Sequence, residues 1–372
     1  MKNFWGIIKK FLKELDKTTL FLCIAASGMG LICLYSCYLN YYLSLKMLLV
    51  QAAAVGIGVV AACIISTLDY NVLAKLWKIH LPATFLLVVL TFFIGYEPDG
   101  TDDKAWIDLG ITTIQPSELF KISFILTFAL HLSVVKENIN KPKDFLLLCL
   151  HGGAAIGIIA LQGDYGSALV FAAIFVFMMF VAGLSGKFIL AGITASAIVF
   201  PIFWHYGMPD HLKRRIAIAF NPEMDKANAG MQQYSGKVAL GAGQLDGRGL
   251  FNEDLYYVPK AYNDFIFSYI GQALGFIGAI TALLIITFLC VRLLVTAKHS
   301  NNLLGTYICV GIFAMFFTQT FINIGMVLCV MPVIGVTLPF FSHGGTSIVT
   351  CFCAIGLAMS VRRTSKKESM FD

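Results

Sequence analysis

Charged residues are scarce in this chain of 372 residues. Only 13% of its residues are Asp, Glu, Lys or Arg, whereas 58% are hydrophobic. A globular domain carries roughly 25% charged residues, and it needs them to cover its surface with polar groups. The deficit excludes a soluble enzyme, and the large hydrophobic fraction excludes a disordered chain.

The sequence also lacks the usual patterns of metal, disulfide and dinucleotide sites. None of its ten Cys forms a C-x-x-C pair or a Cys/His cluster, and most lie inside apolar runs, where free thiols pack as small hydrophobes. The glycine pairs Gly241/Gly243 and Gly247/Gly249 have no strand–helix context around them. We therefore expect no metal site built by the protein alone, no organic cofactor and no nucleic-acid partner.

Apolar runs of about twenty residues are abundant instead, and each has the length needed to cross a hydrocarbon core of roughly 30 Å as a helix. An even number of spans places both termini on one side. The sequence thus predicts an all-α polytopic membrane protein whose single membrane domain, 18–361, contains ten transmembrane helices. The runs are 18–38, 44–67, 76–95, 116–135, 144–162, 166–184, 187–206, 265–296, 303–331 and 340–361.

The placement of Lys and Arg predicts the orientation of these spans. Residues 1–17 form an amphipathic, Lys-rich segment suited to the anionic cytoplasmic leaflet, and residues 362–372 form a basic tail. With both ends inside, most of the 27 basic residues are cytoplasmic and the acidic loop 96–110 is outside. We expect a multi-pass protein in contact with membrane lipids and with both termini in the cytoplasm.

One long polar loop, 207–264, breaks the pattern of short connections and falls on the outer side. A loop of this length is usually functional, although it could also be a solvated basic surface. The functional alternative is an extracytoplasmic site for an anionic ligand. Its basic residues and His are His211, Lys213, Arg214, Arg215, Lys226, Lys237, Arg248 and Lys260.

Ionisable residues near membrane depth are candidates for function. Glu118 and Lys121 lie three residues apart after Pro116, on one face of a predicted helix, and can pair. Pairing alone could explain both, but the pair could also form the floor of a polar cavity. Asp164 lies in a tight turn between two spans, where it can cap the following helix or serve a site.

Asp264 lies where the basic loop re-enters the membrane. A carboxylate at a helix N-terminus is stabilised by the helix dipole and the free N–H groups, which is a sufficient structural explanation. Its position directly after a loop rich in cations favours a second role. A base beside phosphate-binding cations is what glycosyl transfer from a lipid diphosphate requires.

Proline and glycine interrupt the last two apolar runs, at Pro332 and at Gly344 and Gly345. Within a membrane, broken helices or re-entrant backbone are tolerated only where they are buried in protein or line a cavity. Ser342, His343 and the two glycines are therefore candidate binding residues.

Seven motifs occur together in the order typical of one family, and the resemblance covers about residues 15–363. They are W-I-D-L-G from Trp106, Q-P-S-E-L-F-K from Gln115, Q-G-D-Y-G-S from Gln162, K-R-R-I at 213–216, N-D-F-I-F from Asn263, N-I-G-M from Asn323 and L-P-F-F-S-H-G-G-T-S from Leu338. The chain resembles the SEDS family (shape, elongation, division and sporulation), which includes RodA, FtsW and SpoVE.

The resemblance implies an inverting peptidoglycan glycosyltransferase that polymerises lipid II on the outer face of the bacterial cytoplasmic membrane. Asp264 matches the family's essential aspartate and is the expected catalytic base. The expected substrate-binding residues are Glu118, Lys121, Asp164, Lys213, Arg214, Arg215, Ser342, His343, Gly344 and Gly345, and a divalent cation, Mg²⁺ or Mn²⁺, could add positive charge at the diphosphate.

The sequence departs from the family pattern at four positions. Gln272 and Ala273 stand where two acidic residues are usual, Gly163 stands for a proline, and His343 stands for a tyrosine. Because Gln272 and Ala273 are not acidic, the predicted helix 265–296 offers no carboxylate at these positions to assist the reaction. Asp264 itself is retained.

The resemblance also implies partners. The chain has no S-x-x-K motif followed by a K-T-G box, so crosslinking of the glycan would come from a class B penicillin-binding protein. The expected substrates are lipid II and lipid-linked glycan, and the short tails favour an elongation (RodA-like) member. Two rival classes are a lipid II flippase or other membrane transporter, and a scaffold that only recruits a wall synthase.

Overall fold

The structure is a computed structural model that describes residues 14–41, 43–97, 104–110, 112–226, 228 and 230–368. Most of the predicted N-terminal amphipathic segment, 1–13, and the last residues of the basic tail lie outside these ranges. The elements are α1 Lys17–Asn40, α2 Leu45–Thr67, α3 Tyr70–Lys75, α4 Trp77–Ile94, β1 Ile107–Asp108, β2 Thr113–Ile114, α5 Pro116–Val135, α6 Pro142–Leu161, α7 Tyr165–Val181, α8 Gly186–Ile202, α9 Asp210–Ala219, α10 Met231–Ala242, α11 Ile266–Lys298, α12 Leu303–Val327 and α13 Gly345–Glu368.

Each of the ten predicted spans corresponds to one long helix. In the described part of the chain, nine helices are long and apolar enough to cross a membrane. The tenth, α7, has 17 residues and a high mean hydropathy. The prediction of an all-α polytopic membrane protein is therefore confirmed.

The bundle is centred on α12, which packs against α5, α7 and α11. Among the described residues, α2 and α13 form the most extensive helix–helix contact, and they meet through glycine. A Cβ at Gly58 would lie 2.6 Å from the ring of Phe352, and one at Gly356 would lie 2.9 Å from the Cα of Ala62. Small residues allow this approach because helices in lipid associate mainly through close packing. Helix α8, in contrast, buries none of its residues, so its apolar side chains face the lipid.

The last two spans are separated by non-helical backbone over residues 328–344, as proline and glycine predict, and this segment is buried in part. Leu338, Phe340 and Phe341 are almost completely buried, whereas Leu328 and Val330 are exposed. The second half of the segment, 336–344, lies largely inside the protein, where other protein groups can satisfy its backbone polar atoms. It brings its residues against the start of α11, where Asp264 lies.

The long loop folds into α9, a 3₁₀ turn at Pro222–Asp225 and α10, and then packs against a break in α11. Gly275 interrupts that helix with a φ of 67°, a conformation that favours glycine. The loop satisfies the peptide groups that the break releases. The four bonds are Arg248 N–H to Gln272 O (2.9 Å), Gly249 N–H to Ala273 O (3.0 Å), Phe276 N–H to Gln244 O (2.9 Å) and Ile277 N–H to Leu245 O (3.3 Å).

An ion-pair cluster joins three helices at the opposite end of the bundle. The Asp16 carboxylate caps α1 by accepting from the Thr19 N–H, and it accepts two hydrogen bonds from Arg292 at 2.7 and 2.8 Å and one from Arg362. Burial raises the pKa of Asp16, but the Arg292 and Thr19 hydrogen bonds and the two positive charges outweigh burial and hold it below its ordinary value. Because Arg292 lies in the last two turns of α11 and Arg362 lies in the last helix, the two ends of the membrane domain lie on one side of the bundle.

We expect Asp16→Ala to lower the apparent melting temperature in detergent, because it removes a helix cap and leaves Arg292 and Arg362 without their carboxylate. The cost should be about 2–4 kcal/mol. Since the folded-state pKa is lowered, the contribution is complete above the ordinary value of 3.8 and is lost as the pH falls below it. The control Asp210→Asn alters a fully exposed carboxylate and should change nothing. Equal melting temperatures for wild type and Asp16→Ala at pH 7 would contradict this role.

Candidate active site

A cavity of about 370 Å³ lies at the end of the bundle where α5, α7 and α11 begin. Six parts of the chain line it: Trp106, the start of α5, the turn into α7 with the first residues of that helix, the long loop 207–264, Gln319 of α12 and the non-helical segment 333–337. Its polar lining residues are Gln115, Glu118, Lys121, Asp164, Ser167, Arg215, Asn228, Gln232, Lys260, Asn263, Asp264, Gln319 and Thr337.

Glu118 and Lys121 form the buried ion pair that their spacing predicts. The Lys121 ammonium donates to the Glu118 carboxylate at 2.7 Å, and the side chains are 1% and 6% exposed, respectively. Pro116 is in the first turn of α5, where its missing N–H costs nothing. Because the pair is both neutralised and part of the cavity lining, the structural and functional explanations both apply to it.

Asp164 caps α7, as its position before that helix predicts. One carboxylate oxygen accepts from the Ser167 N–H at 2.8 Å, and the other accepts from the Gln115 side-chain amide at 2.8 Å. The cap therefore also connects the turn before α7 to the start of α5. Gly163, before the cap, has a φ of 85°, a backbone conformation that a proline cannot adopt.

Asp264 is 8% exposed and lines the same cavity. We expected its carboxylate at the very start of a helix, but α11 begins at Ile266 with Phe265 as its N-cap residue. The turn that contains Asp264 is fixed by Asn323 of α12. The side-chain amide of Asn323 donates to the carbonyls of Asp264 and Val336, both at 2.8 Å.

Ser342 and His343 lie behind the Asp264 turn and not among the residues that line the cavity. The Ser342 hydroxyl donates to the carbonyl of Asn263 at 2.7 Å and accepts from the Leu338 N–H at 2.8 Å. The backbone N–H of His343 donates to the carbonyl of Tyr262 at 2.8 Å. Both contacts hold the two residues that precede Asp264.

Gly344 and Gly345 are also outside the cavity lining, at the start of α13. The Gly344 N–H donates to the Gln51 side chain, whose amide donates in turn to the carbonyl of Ser342, both at 3.0 Å. Gln51, a buried residue of α2, therefore holds the non-helical segment by both of its polar atoms. Gly344 and Gly345 therefore belong to the part of the chain that supports the site and do not line the cavity.

The three consecutive basic residues of the K-R-R-I motif have different surroundings. Arg215 lines the cavity, whereas Lys213 and Arg214 do not. Lys213 pairs with Asp210 at 3.5 Å, and Arg214 pairs with Asp225 at 2.5 Å. The helical geometry of α9 gives one of the three positions to the site.

Sequence reasoning missed Asn323 and Gln51 as supports, and it did not single out Lys260 as a site residue. A polar amide within an apolar run is the signal that could have identified the first two.

Tyr262, beside the site, has a raised pKa because of burial, with smaller contributions from neighbouring charges that include Asp264. In the described ranges, no group of three or more His, Cys, Asp or Glu is arranged to hold a metal ion.

Comparison with known proteins gives the family. The family profile described as "Cell cycle protein", for FtsW, RodA and SpoVE, matches residues 17–367. The chain belongs to this family. This SEDS protein is similar to stage V sporulation protein E of Bacillus subtilis. The two are 33% identical over 321 residues, which cover 85% of this chain and 87% of that protein.

Two further SEDS relatives carry functional descriptions. The peptidoglycan glycosyltransferase MrdB of Escherichia coli is 29% identical over 291 residues, which cover 76% of this chain and 78% of that protein. A solved structure reported as "Structural coordination of polymerization and crosslinking by a peptidoglycan synthase complex" has a TM-score of 0.80. It is 27% identical and covers 94% of this chain and 98% of that chain.

We expect the Glu118–Lys121 pair to be costly to break from one side and cheap to replace as a whole. Glu118→Gln leaves a buried ammonium without its counter-charge, which typically costs about 3–5 kcal/mol. Glu118→Gln/Lys121→Met removes both charges and should restore the melting temperature in detergent almost to that of wild type. Glu223→Gln, in an exposed pair with Lys226, is the matched control. A double variant no more stable than the single one would show that the pair is not a self-contained neutral unit.

Proposed function

We propose that this protein polymerises lipid II into the glycan strands of peptidoglycan and that the cavity around Asp264 is where the sugars react. The observation that carries the proposal is the buried Asp264 carboxylate sharing one cavity with the cations Lys121 and Arg215. A carboxylate can take a proton from a sugar hydroxyl, and cations can stabilise a diphosphate leaving group. The name of MrdB and the reported synthase complex support this chemistry.

We propose, from the positive-inside rule, that this cavity faces the outer side of the cytoplasmic membrane. Basic residues gather at the end of the bundle where α1 begins and α13 ends, which is opposite the cavity. They include Arg292, Lys298, Arg362, Arg363 and Lys366. Both termini are then cytoplasmic, and lipid II meets the site after it has reached the outer leaflet.

In the proposed reaction, Asp264 takes the proton of the GlcNAc 4-hydroxyl of one lipid II molecule as that oxygen attacks. The new bond forms to the anomeric carbon of MurNAc on the lipid-linked chain, whose bond to the diphosphate oxygen breaks. Attack from the opposite face converts the α-linkage to a β-linkage. The leaving lipid diphosphate carries the electron pair of the broken bond.

Negative charge therefore grows on the diphosphate, and the cavity supplies positive charge to it. Lys121 and Arg215 line the cavity, whereas Lys213 and Arg214 would act only from its rim. Asn323 and Ser342 fix the backbone turn that contains Asp264 before substrate binds, which preorganises the place of the base. A divalent cation would enter with the phosphates of the substrate.

The flippase alternative gains no specific support from these contacts. A carrier would place its charged groups near the midplane of the membrane, whereas Asp164 and Asp264 both lie just before helices begin, at one end of the bundle. A scaffold would have no use for a buried carboxylate whose turn is held by Asn323, Ser342 and His343.

We further propose a class B penicillin-binding protein as partner, because the chain has no transpeptidase motifs of its own. The similar solved structure is of a complex that combines polymerization with crosslinking. A partner that contributes a membrane helix would bind on the lipid-facing surface of the bundle.

Asp264→Asn should fold as wild type and lose polymerase activity. The amide keeps the size of the side chain but cannot accept the proton, and a general base contributes about 10²- to 10⁴-fold in rate. The measurement is glycan formation from purified lipid II in detergent, with any co-purifying glycosyltransferase excluded. Asp246→Asn, an exposed carboxylate in the same loop and outside the cavity, is the control. Wild-type activity in Asp264→Asn would remove Asp264 from the reaction.

The double variant Glu118→Gln/Lys121→Met separates the two explanations of that pair. If the residues only neutralised each other, the stable double variant would also keep its activity. We expect it to remain monodisperse and to fail to polymerise lipid II, because a cation at membrane depth is little screened and attracts phosphate strongly. Glycan synthesis at the wild-type rate would assign both residues to stability alone.

A further inference from the structure

Some of the charged side chains that line the cavity are neutralised or hydrogen-bonded by other groups of the protein. Lys121 is matched by Glu118 at 2.7 Å, and Asp164 is satisfied by Gln115 and the Ser167 N–H. Among the described residues, Lys260 lines the cavity and forms no ion pair. The residue is half-buried.

The backbone of Lys260 is also unusual. Its φ is 55°, in the left-handed region that Gly and Asn adopt far more readily than Lys. The turn closes on its carbonyl, which accepts from the N–H groups of Asn263 at 3.0 Å and Phe265 at 3.3 Å. Lys260 and Asp264 therefore belong to one tight turn, and both line the cavity.

A residue in a disfavoured backbone conformation at a cavity indicates that its side chain serves the site. If the position only had to form the turn, Asn or Gly would form it with less strain. What Lys adds is a flexible ammonium with three donors, which suits phosphate oxygens. Its place in the same turn as the proposed base brings that charge to the reacting end of the substrate.

We infer that Lys260 binds the diphosphate of the lipid-linked substrate and stabilises it as the leaving group. The inference rests on the proposed function, because it places the diphosphate in the cavity of Asp264. It adds to that function a cation that has no ion-pair partner among the described residues, whereas Lys121 already has one. A carboxylate of the peptide stem is the other anion that Lys260 could meet.

The test compares purified full-length wild type with Lys260→Asn and Lys260→Arg. Asn removes the charge and suits the left-handed backbone, whereas Arg keeps the charge. The first readout is the melting temperature in detergent with geranylgeranyl diphosphate, geranylgeranyl monophosphate or a lipid-free disaccharide pentapeptide. The second is kcat/KM for polymerisation of lipid II.

Two control variants separate the effects of charge and backbone. Lys237→Asn removes an exposed cation of α10, outside the cavity. Gln244→Asn changes another residue with a left-handed φ, 46°, which also does not line the cavity. Both controls should bind and polymerise as wild type does.

We expect the diphosphate to stabilise wild type more than the monophosphate does, and Lys260→Asn to lose this difference. Without ligand, Lys260→Asn should melt at or above the wild-type temperature, because its backbone strain is relieved. Its kcat/KM should fall about 10- to 100-fold, as expected for one lost hydrogen bond to a charged group. Lys260→Arg should keep most of both properties.

Three results would overturn the inference: wild type that does not prefer the diphosphate, Lys260→Asn that keeps both stabilisation and activity, or a Lys260-dependent shift with the lipid-free pentapeptide. Failure of the proposed function has a different signature. Wild type that binds the diphosphate through Lys260 but makes no glycan would support this site and contradict the polymerase.

Discussion

A protein surrounded by lipid must satisfy its buried polar groups from within, because the hydrocarbon offers no water to bond them. Residues 328–344 form no helix inside the bundle, so side chains from other helices must hold this segment. Gln51 bonds it on one side, and Asn323 joins the carbonyl of Val336 to that of Asp264. The side chains that satisfy the polar groups of this segment therefore also fix the turn of Asp264, the candidate base.

The same constraint explains how the cavity is built. Glu118 and Lys121 neutralise each other, and Asp164 is satisfied by a helix N-terminus and an amide. These groups are stable at membrane depth before any ligand arrives. A preorganised polar site of this kind suits a reaction in which charge develops on a phosphate, because little rearrangement is needed during the reaction.

Local patterns in the sequence predicted what local physics determines. The ten spans follow from run lengths, the Glu118–Lys121 pair from a spacing of three residues, and the Asp164 cap from its place before a helix. Contacts between distant parts of the chain left no such pattern. Asn323 and Asp264 are 59 residues apart and Gln51 and Ser342 are 291 apart, so only the folded bundle shows that they meet.

The central claim is that the sugars react in the cavity around Asp264. A cryo-EM structure of the protein with lipid II bound tests this claim most directly. The account predicts a GlcNAc 4-hydroxyl within about 2.6–3.2 Å of the Asp264 carboxylate, with the diphosphate beside Lys260 and Arg215. Saccharide and diphosphate bound near the membrane midplane, away from Asp264, would contradict the account and favour a transporter.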